Sequence, residues 1–119
     1  MKDENSGLMD KEEDVKISLE EKGNEKFVLK LFVTGLTPRS IESISSIRAI
    51  CEEELKGRYH LEVIDLSKEP EKAKDANIIA APTLLRQIPL PLRRLIGDLT
   101  NRSRVIEGLG IIINHDNNS

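Results

Sequence analysis

Short, nearly continuous apolar runs alternate with charged stretches along this chain, and the first run predicts a β-strand. Residues 26–34 (KFVLKLFVT) are rich in β-branched and aromatic side chains and end at Gly35, as strands commonly do. Because polar residues do not alternate regularly through the run, we expect an inner strand that is covered on both faces.

A long amphipathic helix is predicted next, from Thr37 to about Lys56. Thr37 suits the N-cap, Pro38 suits the first helical position, and Gly57 suits the C-terminal end. The residues that recur at three- and four-residue spacing form one apolar stripe: Ile41, Ile44, Ile47 or Arg48, Cys51 and Leu55. We expect this stripe to pack on the sheet and the glutamates outside it to face solvent.

A second strand is predicted over residues 58–66, where Tyr59, Leu61 and Val63 alternate with polar neighbours. A strand, a helix and a strand in this order form a right-handed parallel βαβ unit by the usual rule. The charged residues 67–80 predict a second helix. Its apolar stripe is poor, so we expect low local stability there.

A proline-rich stretch, residues 81–98, predicts two more strands. Short apolar runs at 83–85 and 92–96 flank a Pro-x-Pro break, and runs of this length that are bounded by proline are typical of buried strands. Pro82 precedes the first run and follows a small residue, which makes the Ala81–Pro82 peptide bond a candidate for the cis isomer.

The C-terminal residues give conflicting signals. Asp98 or Thr100 can cap a last helix. The apolar face of that helix consists of Val105, Ile106, Leu109 and Ile112. Gly108 and Gly110 each cost a helix ~1 kcal/mol relative to Ala, and residues 111–113 (III) favour a strand. Such a conflict marks a segment that is strained or able to change state.

The predicted order of elements is β-α-β-α-β-β-α, over residues 26–113. A parallel βαβ unit followed by an antiparallel pair indicates a two-layer α/β domain of the thioredoxin-like type. Residues 1–25 hold nine acids and four lysines, a net charge of −5, whereas the remainder holds 14 basic and 12 acidic residues, a net charge of +2. This composition favours a flexible acidic arm, although Val15, Ile17 and Leu19 alternate with polar residues and also fit a short strand or docked segment. Residues 114–119 are a polar tail.

Overall charge and composition exclude several classes of protein. The net charge of −3 argues against a dedicated nucleic-acid-binding protein, because such proteins usually carry a basic excess. No apolar run approaches the ~18 residues of a membrane span, and the N-terminus lacks a signal-peptide pattern. A single cysteine excludes an internal disulfide. We expect a soluble cytoplasmic protein.

Catalytic chemistry is not apparent in this sequence. A redox protein of this fold would carry thiols at the start of the first helix, where residues 37–40 (TPRS) contain none. Cys51 lies on the apolar stripe and is expected to be a buried, inert core residue. His60 and His115 stand on unrelated elements and form no metal-ligand set. We therefore predict neither enzymatic activity nor a cofactor.

Three arginines are candidates for protein binding. Arg86, Arg93 and Arg94 accompany the prolines of residues 81–98, and Arg is favoured at interfaces because its guanidinium pairs with carboxylates in a bidentate manner. Arg93 and Arg94 are adjacent on a predicted strand, so they are expected to face opposite ways, with one structural and one available to a partner.

Several segments of the sequence resemble one known family. They are FVLKLFVTG (27–35) followed by Thr37, Pro38 and Ser40, LKG (55–57), VID (63–65), APTL (81–84), PLRR (91–94) with IGDL (96–99), and NR (101–102). Together they resemble the KaiB family of circadian clock proteins, over about residues 26–113. They also resemble the sensor domain of KaiC-binding histidine kinases, without a kinase domain.

The resemblance implies a non-enzymatic protein that binds a KaiC-type ATPase. It also implies a KaiA-like protein or a KaiC-binding histidine kinase as further partners, and a dimer or tetramer. The KaiC-contacting positions of the family map onto Arg86 and Arg94, beside Arg93. The family is known for two folds that differ in the C-terminal half, and Pro82, Gly108 and Gly110 fall in the region that would rearrange.

Two alternatives remain open at this point. One is a thioredoxin-like stress-response protein with a redox or thiol-ligand role through Cys51. The other is a homo-oligomer whose change of fold is itself the regulatory event.

Overall fold

The computed structural model describes residues 25–113 as a four-stranded sheet with three helices. The elements are β1 (Phe27–Val33), α1 (Pro38–Glu54), β2 (Tyr59–Asp65), α2 (Glu71–Asp75), β3 (Thr83–Ile88), β4 (Arg93–Ile96) and α3 (Arg102–Leu109). This is the predicted β-α-β-α-β-β-α order. The expected N-terminal arm and polar tail lie outside the described residues, except that residue 25 is included.

The sheet has the strand order β2-β1-β3-β4. β1 and β2 are parallel, with Phe27 opposite Tyr59, which confirms the predicted βαβ unit. β3 runs antiparallel to β1, and β4 runs antiparallel to β3, with Arg86 opposite Arg93. The inner position predicted for the 26–34 strand is therefore confirmed, and β2 and β4 are the edges.

The two faces of the sheet are covered unequally. One face, called the closed face, packs against α1 and α3. Its fifteen buried core residues are Phe27, Leu29, Leu31, Val33, Ile47, Ile50, Cys51, Leu55, Leu84, Leu95, Leu99, Val105, Ile106, Leu109 and Ile111. The other, called the open face, packs within residues 25–113 only against the short α2 and its flanking loops. Its buried cluster has four members: Phe32, Ile64, Ile78 and Leu85.

Helix α1 begins as the sequence predicts. The Thr37 hydroxyl accepts a hydrogen bond from the Ser40 backbone N–H at 3.1 Å, and Pro38 occupies the first turn. Gly57 follows the helix with a φ of 79°, a conformation that glycine adopts without strain.

The buried side of α1 differs from the predicted stripe. Ile41 is 53% exposed, whereas Ser40 and Ser43 are buried together with Ile50. Ile47, Cys51 and Leu55 are buried as predicted. The buried side is therefore rotated away from Ile41, and the two small serines allow the first turns of the helix to lie close to their neighbours.

The segment after β2 is shorter than predicted. Only Glu71–Asp75 is helical and none of its residues is buried, in line with the poor apolar stripe. Ile78 packs into the open-face cluster, while its neighbour Ile79 is 90% exposed.

Helix α3 is capped differently from the prediction. Asn101, not Asp98 or Thr100, accepts a hydrogen bond from the Arg104 backbone N–H. The Asp98 carboxylate instead accepts from the Thr100 backbone N–H. Gly110 is the C-cap, with a φ of 72°, so it terminates the helix and carries no helical penalty.

The residues after α3 adopt no regular element up to residue 113. The strand favoured by residues 111–113 is therefore absent from the described chain. Ile111 is buried on the closed face, whereas Ile112, which was placed on the apolar face of the helix, is 40% exposed.

Candidate partner-binding site

The edge strand β4 presents two arginines on opposite faces of the sheet. The Arg93 guanidinium reaches over the closed face and donates to the Gly108 carbonyl at 3.3 Å. The Arg94 guanidinium reaches over the open face and donates to the Ala76 carbonyl at 3.2 Å. Both side chains remain exposed. The predicted opposite orientation of these two residues is confirmed.

Arg86 occupies a different environment, because only 4% of its surface is exposed. Its Nη1 donates to the Leu109 carbonyl at 2.7 Å and its Nη2 donates to the Pro91 carbonyl at 2.6 Å. Arg86 thus joins the end of α3 to the loop between β3 and β4. In this fold the side chain is used within the domain, and a role of Arg86 in partner binding stays a prediction.

The charge of Arg86 is buried without a matching carboxylate within salt-bridge distance among the described residues. Its Nε has no hydrogen-bond partner there either. Burial lowers the pKa of the guanidinium, Arg93 lowers it further, and Glu25 acts in the opposite direction. Carbonyls alone offset less of the desolvation cost of a buried cation than a paired carboxylate does.

Exposed apolar side chains surround β4. Ile88, Leu90 and Leu92 project from the end of β3 and the following loop, and Ile96 projects from β4 itself. Ile79 lines the same small cavity as Ile96 and Arg94. Apolar side chains that cluster on a surface beside charged ones are typical of protein-binding sites.

A groove of about 420 Å³ opens on the open face between α2 and β4. Its apolar lining includes Phe32, Ile64, Leu85 and Leu92, and its cationic lining consists of Lys30, Lys72 and Arg94. Phe32, Ile64 and Leu85 are at most 2% exposed, so Leu92 is the one large apolar side chain of this lining that is exposed, beside the three cations and the acid Asp75.

The residues predicted to govern a change of fold lie at contacts of the C-terminal half. The Ala81–Pro82 peptide bond is cis, as hypothesised. A Cβ added at Gly108 would overlap the buried Leu95 side chain, and one added at Gly110 would lie 3.0 Å from Nη1 of Arg86. Both glycines therefore stand where α3 meets the sheet.

The position that would carry thiols in a redox protein contains only Thr37, Pro38, Arg39 and Ser40. Cys51 is fully buried, and burial raises the pKa of its thiol to about 12, with a smaller effect from Glu52. The expected buried core cysteine is confirmed, and a thiol of this pKa supplies almost no thiolate near neutral pH.

Residues 25–113 contain neither a metal-binding cluster nor a membrane-spanning helix. No group of three or more His, Cys, Asp or Glu side chains there is arranged to hold a metal ion. His60 is exposed on β2, and His115 lies outside the described residues. None of the described helices has the length and apolar character needed to cross a bilayer.

The sequence analysis predicted neither the burial of Arg86 nor the exposure of the apolar residues in the β3–β4 hairpin. Arg86 stands two residues after Leu84, and the period of a strand places such residues on the same face. Because Leu84 is a core residue of the closed face, this register was the available signal for the position of Arg86.

Comparison with known proteins identifies related sequences. A model of the KaiB domain matches residues 30–111. The chain is 46% identical over 86 residues to the circadian clock oscillator protein KaiB of Thermostichus vulcanus, covering 72% of this chain and 80% of that protein. It is 41% identical over 87 residues to the circadian clock protein KaiB3 of Synechocystis sp., covering 73% and 85%.

Solved structures with a similar fold include the N-terminal domain of Synechococcus elongatus SasA. It matches with a TM-score of 0.59 and 23% identity over 72% of this chain and 85% of that one. Mitochondrial thioredoxin 3 from Saccharomyces cerevisiae matches with a TM-score of 0.58 and 14% identity, over 75% and 81%. At these identities the likenesses show the thioredoxin-like fold alone.

Proposed function

The chain belongs to the KaiB family of circadian clock proteins, and from this premise we propose that it is a non-enzymatic cytoplasmic regulator that binds a KaiC-type ATPase. The observation that carries the proposal is the β4 edge, where exposed arginines stand among exposed apolar side chains. A surface of this composition suits an acidic partner surface with apolar anchors.

Within this site we assign partner contacts to Arg93 and Arg94. Both guanidinium groups are exposed and bond only to carbonyl groups of the described chain, so carboxylates of a partner can reach them. Arg86 acts as a positioning residue. Its hydrogen bonds to Leu109 and Pro91 fix the loop that displays Leu90 and Leu92.

The proposal also includes a second binding partner and an alternative oligomeric state. A KaiA-like protein or a KaiC-binding histidine kinase is a second binding partner, and the chain forms a dimer or tetramer in its alternative state. Exchange between states uses the contacts of Pro82, Gly108 and Gly110. What supports this role is the position of both glycines where α3 packs on the sheet.

Binding of the full chain to a purified KaiC-type ATPase tests the proposal. Fluorescence anisotropy of labelled protein gives the dissociation constant. We expect Arg94→Glu to weaken binding by about tenfold or more, because reversing one interfacial charge replaces an attraction by a repulsion.

Lys56→Glu is the matched control, since it reverses one exposed charge just after α1, away from β4. Circular dichroism should show all three proteins equally folded. Equal affinity of the Arg94 variant and the parent protein, or no binding by the parent protein, would overturn the assignment.

A further inference from the structure

Helix α3 is anchored at both of its ends by arginine side chains. At its first residue, the Arg102 guanidinium binds two carboxylates of α1. Its Nη1 lies 2.7 Å from Oε1 of Glu53, and its Nη2 lies 2.7 Å from Oε2 of Glu54. Arg102 and Glu54 are 48 residues apart in sequence, so this contact depends on the docking of α3 against α1.

The burial of Glu54 distinguishes this contact from an ordinary surface ion pair. Only 6% of the Glu54 side chain is exposed, against 59% for Glu53 and 43% for Arg102. Exposed ion pairs contribute little to stability because water and salt screen them. Removal of one partner from a buried pair is costly, since the charge that stays behind is poorly solvated. Arg102 is therefore expected to act mainly through Glu54.

The charges at these two helix ends are unfavourable for each helix taken alone. The last turn of α1 carries three glutamates, at positions 52–54, and no basic residue. The first turn of α3 carries Arg102 and Arg104 and no acidic residue. The helix dipole favours the opposite arrangement, with acids at the N-terminus and bases at the C-terminus. Contact between the two ends offsets both penalties, so these charges stabilise the docked position of α3.

The other end of α3 is joined to the β3–β4 hairpin. The Leu109 carbonyl accepts a hydrogen bond from Arg86 at 2.7 Å, and Arg86 also donates to the Pro91 carbonyl in the hairpin loop. The Gly108 carbonyl accepts from Arg93 of β4 at 3.3 Å. The eight residues of α3 span about 12 Å. One short helix therefore connects the ion pairs on α1 with the hairpin.

We propose that Arg102, Glu53 and Glu54 form an ionic latch that keeps α3 docked, and that α3 transmits the state of this latch to the β3–β4 hairpin. When the latch opens and α3 leaves the sheet, the bonds of Arg86 and Arg93 to α3 break, and the hairpin loses contacts that fix it. The latch thereby regulates the partner-binding site at β4. This use of the latch rests on the proposed function, whereas the coupling of latch, helix and hairpin is a property of the isolated chain.

Amide hydrogen exchange of the full chain, followed residue by residue, tests the coupling without any partner. In the parent protein we expect α3 and β4 to be less protected than β1, because they open together short of global unfolding. Arg102→Gln should lower the protection of α3 and of β4 by the same factor, about tenfold or more, because every opening that breaks the latch becomes easier. The Ala76 N–H, which bonds to the Lys72 carbonyl at the end of α2, opens without breaking the latch and should keep its protection.

Two further variants separate the ionic contact from a loss of packing. Arg48→Gln removes an exposed arginine of α1 that has no salt bridge among the described residues, and it should change the protection of α3 by less than about threefold. Glu54→Gln added to Arg102→Gln should restore part of the lost protection, because the buried carboxylate is then removed together with its partner.

Three results with these variants would overturn the proposal: unchanged protection of α3 in Arg102→Gln, protection of β4 that does not fall with that of α3, or no recovery in the double variant. Equal protection of α3, β4 and β1 in the parent protein would also overturn it, since the helix would then open only when the whole domain unfolds. None of these measurements involves the KaiC-type ATPase, so the proposed function holds or fails independently of them.

Discussion

The two faces of the sheet are built from the same strands and yet differ in what covers them. The closed face gathers fifteen buried residues under α1 and α3, whereas the open face gathers four under a single turn of helix. Burial of apolar area is the main favourable term in folding. The closed face therefore supplies most of the buried apolar core, and the open face supplies a smaller part of it.

Neighbouring residues show how closely the two faces are interleaved. Leu84 belongs to the closed-face core and Leu85 to the open-face cluster. Arg93 and Arg94 divide in the same way, toward Gly108 and Ala76. Since strand side chains alternate, one peptide unit separates a position on the closed face from a position on the open face.

Truncating the adjacent leucines should have the largest effect and gives the most direct comparison of the faces. Leu84→Ala should lower the free energy of unfolding by about 2–5 kcal/mol, because it leaves a cavity in a closed core. Leu85→Ala should cost about 2 kcal/mol, since Leu85 already borders an open groove and the space that it vacates is accessible to solvent. Urea denaturation measures both values.

The two leucines form their own control, because each is at most 2% exposed in the parent protein and each loses the same atoms. Equal losses, or a larger loss for Leu85→Ala, would show that the open face contributes as much to stability as the closed face and would remove the distinction.

Replacing the buried Arg86 on the closed face should lower the free energy of unfolding by a smaller amount. Arg86→Lys should cost about 1–3 kcal/mol, because one ammonium cannot serve the Leu109 and Pro91 carbonyls as the guanidinium fork does. Arg93→Lys, at the register partner of Arg86, should change stability by less than about 0.5 kcal/mol because it is exposed.

Urea midpoints of both lysine variants measure this difference. An Arg86→Lys protein as stable as the parent would mean that the two carbonyl contacts do not hold α3 to the hairpin, and that Arg86 is available for other contacts.

The elements themselves could be predicted from sequence because their signals are local. The apolar run of residues 26–34, the Thr37–Pro38 helix start and the glycine after α1 each specify a conformation through neighbouring residues. The order β-α-β-α-β-β-α then follows, and the parallel unit is constrained by handedness. The weakness of residues 67–80 was equally visible, because few apolar residues occur there.

The details that were missed depend on contacts distant in sequence. A count of apolar residues favoured Ile41 for the buried side of α1, but Ser40 and Ser43 are the residues buried there. Small side chains are selected where a helix lies close to another element, and no local pattern reports that closeness. The carbonyls of residues 91 and 109 that hold Arg86 are likewise invisible until the fold brings them together.

The smallest expected effect is the contribution of Asp65 to stability, which depends on pH. Asp65 ends β2, and its carboxylate accepts hydrogen bonds from the Ser67 hydroxyl, the Gly35 N–H and the Ser67 N–H. These bonds, that of the Ser67 hydroxyl first, hold the pKa of Asp65 below its ordinary value of 3.8. A folded-state pKa that is depressed adds stability above the unfolded-state value, and this stability is lost as pH falls through the folded-state value.

Asp65→Asn keeps an acceptor oxygen toward the loops before α1 and before α2 but cannot titrate. Its stability at pH 7 should fall slightly, because bonds to a charged acceptor are stronger, and its urea midpoint should then decline less than that of the parent protein below pH 4. Asp98→Asn should remove a separate part of the acid sensitivity, since the Thr100 hydroxyl lowers the pKa of Asp98 in the same way. If the urea midpoint of Asp65→Asn declines below pH 4 as steeply as that of the parent protein, the Asp65 carboxylate is not a source of the acid sensitivity.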